Sequence, residues 1–182
     1  MALTPSAMIT LGTPCPNFAL PDTDGRLVRR DDVRDAPALL VIFLCNHCPY
    51  VKHVANDLAQ VAAKFQAKGV AVVGISSNDV VQYPEDAPDM MRREKRNRNY
   101  AFPYLFDETQ LVARSFGATC TPDFFLYGKD RRLLYRGQFD DSRPGNGKPI
   151  TGADLVAAVD AVLAGREVPV QKPSMGCNIK WK

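Results

Sequence analysis

Two cysteines three positions apart, Cys45 and Cys48 in Leu44-Cys-Asn-His-Cys-Pro49, are the residues of this sequence best placed to do covalent chemistry. A seven-residue apolar run, Ala38 to Leu44, precedes them. Val51, Val54, Leu58, Val61, Ala62 and Phe65 follow at helical spacing up to Gly69. The pair therefore sits where a buried strand hands over to an amphipathic helix. Asn46 can cap that helix, and Pro49 falls in its first turn, where a missing N–H removes no intrahelical bond. Unpaired N–H groups and the positive helix end then favour a thiolate, and the expectation is that Cys45 carries it. A cysteine so placed has its pKa lowered from about 8.5 into the range of roughly 3.5–7.5. Three readings fit these residues: thiol–disulfide exchange, half of a structural zinc site, or two cysteines simply buried in a core. There is no second C-x-x-C to complete the common zinc pattern, and the strand–helix setting favours redox chemistry.

The elements that must position this pair can be read along the chain. Residues 12–28 form a small hairpin, with Phe18 and Leu20 on one face and Asp22-Thr-Asp-Gly25 at the turn. Asp31 to Val33 make a short helical turn. Strand 38–44, helix 47–68 and the apolar run 70–76 make a right-handed βαβ unit on a parallel sheet. A polar loop over 77–87 leads to a helix opened by Pro88. A short strand at 102–106 precedes a helix capped by Asp107 and closed by Gly117. Residues 124–127 and 133–136 pair as an antiparallel hairpin. After a breaker-rich loop at 142–149, Thr151 and Asp154 have the spacing of a capping box for a last helix, ended by Gly165. The tail, 166–182, reads as irregular, yet Cys177, Ile179 and Trp181 give it apolar surface with which to pack back.

Length and composition bound the rest. With 182 residues, 46% of them hydrophobic, the chain is long enough to bury one proper core without disulfide staples. The expected organisation is one domain, with its core at about 12–165 and the tail at 166–182. The first dozen residues carry no basic, apolar leader, and no run approaches 18 apolar residues, so a soluble cytoplasmic protein is expected, with no membrane contact. In a reducing compartment a C-x-x-C is catalytic or metal-binding rather than a staple. A net charge of +3 is too mild to argue for nucleic acid, and the basic run Arg92 to Arg98 reads as a solvated helix face. No nucleotide or flavin motif is visible, so no cofactor is expected.

Together these pieces resemble the thioredoxin fold, a central mixed sheet flanked by helices, here with an N-terminal hairpin extension. Pro16-x-Phe18-x-Leu20-x-Asp22-x-x-Gly25 is similar to the front of the AhpC/TSA and TlpA-like branch. Cys-Asn-His-Cys-Pro, Ala118-Thr-Cys-Thr-Pro-Asp123, the stretch Arg136 to Gly145 and Gly176-Cys-Asn-Ile-Lys-Trp181 resemble the peroxiredoxin-like 1 family. The resemblance implies that Cys45 attacks and Cys48 resolves. It implies that Pro122 is cis and that the Thr121 backbone offers strand-like hydrogen bonds to an incoming peptide. His47 stands where protein disulfide isomerases also have histidine, and a partly protonated imidazole there favours the Cys45 thiolate. Three departures from these families stand out. Leu44 replaces the usual tryptophan, Leu39 replaces the buried carboxylate of thioredoxins, and Val41 and Cys45 replace the Pro and Thr of the peroxiredoxin motif, whose peroxidatic cysteine, by resemblance, stands at the position of Cys48.

The expected activity is thiol–disulfide exchange on a protein or small-molecule disulfide, with a thioredoxin or glutathione system as electron donor. A divergent peroxidase is the alternative enzyme. Binding of Zn(II) or Cu(I) by Cys45, Cys48, Cys120 and Cys177 is the non-enzymatic one. Cys177 is further expected to come within reach of Cys120 or of the Cys45–Cys48 pair and to act there as a second redox couple or relay. Cys15, between two prolines, is expected to be incidental.

Overall fold

The computed structural model describes residues 3–182. β1 (Leu3–Pro5) and the hairpin of β2 (Ala19–Pro21) and β3 (Leu27–Arg29) come before the core strand β4 (Leu39–Phe43). α1 (Pro49–Ala67), β5 (Ala71–Ser76), α2 (Pro88–Arg98), β6 (Tyr104–Phe106) and α3 (Leu111–Phe116) follow. Then come β7 (Cys120–Thr121), β8 (Asp123–Tyr127), β9 (Leu133–Gly137), α4 (Ala153–Leu163) and β10 (Met175–Asn178).

The central sheet has the order β6-β5-β4-β8-β9. β4, β5 and β6 run parallel, and β8 and β9 complete the sheet antiparallel. β4 is buried along its whole length, because helices and loops cover both faces of the sheet. Its period-two alternation divides two cores. Leu40, Ile42 and Leu44 point toward α1 and α4, where Val51, Val54, Leu58, Phe65, Leu155 and Val159 pack. Leu39, Val41 and Phe43 point toward α3 and the front hairpin, against Phe18, Leu20 and Phe116. Phe43 meets Phe116 and Phe125 edge-on, at centroid separations of 5.5 and 5.8 Å. Each such fully buried aromatic contributes about 1.5–3 kcal/mol over leaving it exposed. A register slip of one residue in β4 would exchange the two faces.

The expected βαβ unit, both hairpins and the mixed sheet flanked by helices are present. Several expectations need correction. Thr151 and Asp154 do not form a capping box: Gly152, in the left-handed region, is the N-cap of α4, and Asp154 instead accepts from the Gln138 side chain at 2.5 Å. The tail is not irregular throughout. β10 lies between β1 and β7 in a small three-stranded sheet, and Ile179 behind it is buried. The basic run on α2 is engaged in surface ion pairs such as Arg98–Glu94 at 2.8 Å. Among the described residues no helix is long and apolar enough to cross a membrane.

Candidate active site

α1 starts four residues after the first cysteine of the pair. Pro49 is its first residue, and Cys48, extended at φ −64° and ψ 124°, is its N-cap. Pro is favoured at the first helical position because its fixed φ suits the helix and its absent N–H is not needed there. Asn46 therefore does not cap the helix as expected. Its backbone N–H bonds the Asp86 carboxylate at 2.7 Å, and its side chain donates to the Glu85 carbonyl and accepts from the Tyr104 hydroxyl.

This shift moves the thiolate. The Cys48 pKa is held down to about 5, first by the Cys45 thiol as donor, and further by the Cys177 thiol and the Val51 and Cys177 N–H groups, against the cost of burial. The helix N-terminus adds to the same effect. The Thr121 carbonyl, 3.2 Å from the Cys48 sulfur, opposes it by offering an acceptor to the protonated form. The neighbouring thiols and the helix end together favour the anion. Cys45, only 2% exposed, is driven the other way, because its proton is held by Cys48 and because burial and the nearby Asp86 charge disfavour a second anion. Cys45 is thus buried rather than accessible, and the helix end falls on Cys48 instead of on Cys45.

Below the loop lies Asp86, fully buried, which no spacing in the sequence singles out. It accepts from the Asn46 N–H, from His47 Nδ1 at 2.6 Å and from the Asn78 amide at 2.7 Å, with a longer bond from the His47 N–H. Burial pushes its pKa up, but His47 and Asn78 outweigh this and hold the carboxyl below the usual range. His47 is raised in turn, chiefly by this bond, and its ring stacks on Tyr83 at 5.2 Å. Its positive charge is therefore compensated from below. The partly protonated imidazole expected to favour Cys45 is held here on the buried Asp86 carboxylate. An open cleft of about 490 Å³ borders Asn46 and His47 and carries Lys52 and Arg93 beside Glu85 and Glu94.

Thr121–Pro122 is cis, as the resemblance implied. The Thr121 hydroxyl lies 3.3 Å from the Cys45 sulfur. The edge of β7 is not open to a peptide, however. β10 pairs with it antiparallel, Cys177 opposite Thr121 and Asn178 opposite Cys120. Cys177 thereby joins Cys48 in the core on the α1 side, while Cys120 turns its thiol to the Pro122 carbonyl at 3.8 Å. Burial raises Cys177 to about 12 and Cys120 further. No disulfide joins the described cysteines in this structure. The four sulfurs of the metal-binding alternative do not converge on one point. Among the described residues the grouping with ligand atoms within 4.8 Å of one another is Cys45, His47 and Asp86. Of these, His47 and Asp86 already satisfy each other.

Comparison with known proteins places this geometry. A family model described as the AhpC/TSA family matches residues 11–136. An uncharacterized conserved protein from Geobacillus kaustophilus is 51% identical, the match covering 100% of this chain and 97% of that one, with a TM-score of 0.98. A 1-Cys peroxiredoxin B from Oryza sativa subsp. indica is 28% identical over 96% of this chain and 80% of its own. The thioredoxin domain of a thiol-disulfide oxidoreductase from Bacteroides vulgatus is 16% identical over 70% of this chain and 88% of that one, with a TM-score of 0.60, a likeness of fold. A buried pair of cysteines beside a cis-proline, on this fold and within this match, has one family reading: the chain belongs to the AhpC/TSA family, as a peroxiredoxin-like oxidoreductase built on the thioredoxin fold.

Proposed function

We propose that the protein is a cytoplasmic thiol–disulfide oxidoreductase in which Cys48 is the attacking thiol and Cys45 the resolving one. The observation that carries this reading is the position of Cys48 as the N-cap of α1, beside the thiols of Cys45 and Cys177. The Cys48 thiolate attacks one sulfur of a substrate disulfide; that bond breaks, and the departing thiolate takes a proton. Cys45 then loses its proton and attacks the Cys48 sulfur, releasing the second substrate thiol and leaving a Cys45–Cys48 disulfide. Two electrons pass to the substrate, and a thioredoxin or glutathione system restores the dithiol. The order of steps follows from the electrostatics. The leading cause that suppresses Cys45 ionisation is its bond to Cys48, and that bond is lost once Cys48 enters the mixed disulfide.

A second reading, reduction of hydroperoxides, is favoured by one observation: the thiolate falls on the position that, by resemblance, is the peroxidatic cysteine. Rapid-mixing kinetics with a small disulfide and with a hydroperoxide separate the two. The oxidoreductase reading expects the reduced protein to consume the disulfide with loss of two thiols, and to lose that activity in Cys48→Ser. Consumption of hydroperoxide alone would replace it with the peroxidase.

A further inference from the structure

We propose that β10 is an intramolecular occupant of the strand edge beside the redox centre, and that its Cys177 is a second resolving thiol for Cys48. The inference rests on the reading of Cys48 as the attacking thiol, and it adds a substrate class to it.

The register puts Cys177 directly opposite Thr121, the residue before the cis-proline, and the Ile179 N–H extends the ladder to the Thr119 carbonyl at 3.1 Å. This approach depends on Gly176. A Cβ there would lie 2.0 Å from the Thr121 carbonyl oxygen and 2.6 Å from its carbon, so no other residue fits without moving the strand. The strand is held on its other side by β1, with Leu3 opposite Cys177. It is held at its start by the Ser174 hydroxyl on the Pro122 carbonyl at 2.6 Å. Beyond its end the Lys180 N–H bonds the Asn78 side chain at 2.8 Å, and the Lys180 carbonyl accepts from the Asp79 N–H and from Gln110. Asn78 also holds Asp86, so the seat of the tail and the clamp under the C-x-x-C loop share one residue.

Paired residues in an antiparallel ladder face the same side. Cys177 and Thr121 therefore look toward α1, and Cys45, Cys48 and Cys177 lie in one buried cluster. Cys120, one position along, looks away. The chemistry follows from this placement. A Cys48–S–S–R mixed disulfide presents its Cys48 sulfur to Cys177; the Cys177 sulfur, losing its proton, attacks it, the bond to R breaks, and RS⁻ leaves as the thiol. Cys48–Cys177 is then oxidised by two electrons, and the original RSSR has become two RSH. With β10 seated, an extended polypeptide cannot pair with the edge of β7 that β10 occupies. The substrate class is a low-molecular-weight disulfide.

The test uses full-length Cys45→Ser, which keeps a hydroxyl donor next to Cys48, treated with oxidised glutathione and analysed by thiol release and peptide mass mapping. The expected result is a Cys48–Cys177 disulfide with two glutathiones released per chain, and no lasting glutathionylation. In Cys45→Ser/Cys177→Ser one glutathione is released and Cys48 stays glutathionylated. Stable glutathionylation of Cys48 in the single variant, with Cys177 still reduced, overturns the inference and leaves Cys48 as the attacking thiol. Failure of Cys48 to react in the wild type and both variants overturns both readings.

Discussion

Cys15 and Cys48 are both buried, at 4% and 0% exposure, yet they stand at opposite ends of cysteine chemistry. Cys15 packs in the core on the α3 side of the sheet, and its thiol donates to the Pro16 carbonyl at 3.5 Å. Burial pushes it up to about 12, although Arg30 and Arg131 lie near enough to pull it down. Cys48, on the α1 side, is held down to about 5, with Cys45 first among its donors. Burial alone raises a thiol pKa, and nearby cations lower it only in part. What separates the two residues is donors aimed at the sulfur itself. A reactive cysteine in this fold is made by a helix end and neighbouring thiols, not by exposure.

The contrast can be broken most severely at the sulfur. Cys48→Ser should reduce disulfide exchange on the order of a thousandfold or more, as removal of a nucleophile does. Cys15→Ala should leave exchange unchanged and cost about 1 kcal/mol as a small cavity, read from urea unfolding. Next in size is the support beneath the loop. Asp86→Ala removes the buried partner of His47 and of the loop N–H groups, and should destabilise the fold by about 3–5 kcal/mol. It should also change the pH dependence of stability. Asp86 is held below the usual carboxylate range, so its contribution is present above that range and is lost as pH falls through the folded value. His47 is raised, so its contribution is full below the usual imidazole value and is lost as pH rises through the folded one. Both limbs should flatten in Asp86→Ala, by unfolding measured across pH.

Smaller effects sharpen the comparison. Gly176→Ala forces β10 off Thr121, and an overpacked contact of this kind costs about 1–3 kcal/mol. Cys177 should then be alkylated faster than in the wild type, while Cys15 is not. His47→Ala leaves the Asp86 charge less compensated next to the pair. It should raise the thiolate pKa by up to about one unit, or 1.36 kcal/mol, seen as a shift in the pH–rate profile.

The fold was legible because its signals are local and periodic: the apolar run into β4, the helical spacing of Val51 to Phe65, the Thr-Pro before a hairpin. The site was legible in its residues and misread in its register. Pro49 was the signal that could have fixed it, since proline at the first helical position makes the preceding residue, Cys48, the N-cap. Placing Asn46 as the cap assigned the helix end to the wrong cysteine. Asp86 gave no signal, because it lies in a polar stretch and acts across about forty residues of chain through contacts that only the fold creates. β10 was missed for a similar reason. It is four residues long, contains glycine, and pairs with a two-residue strand more than fifty positions earlier. Short strands defined by their partners carry little pattern of their own.

The central claim is that the anion resides on Cys48. Thiolate ultraviolet absorbance, followed across pH in the reduced wild type, Cys48→Ser, Cys45→Ser and Cys15→Ala, tests it directly. A single-thiol step with a midpoint near the value of about 5 should appear in the wild type and in Cys15→Ala, move upward in Cys45→Ser as the leading donor is weakened, and vanish in Cys48→Ser. A step that survives in Cys48→Ser and vanishes in Cys45→Ser would return the thiolate to Cys45 and contradict the account.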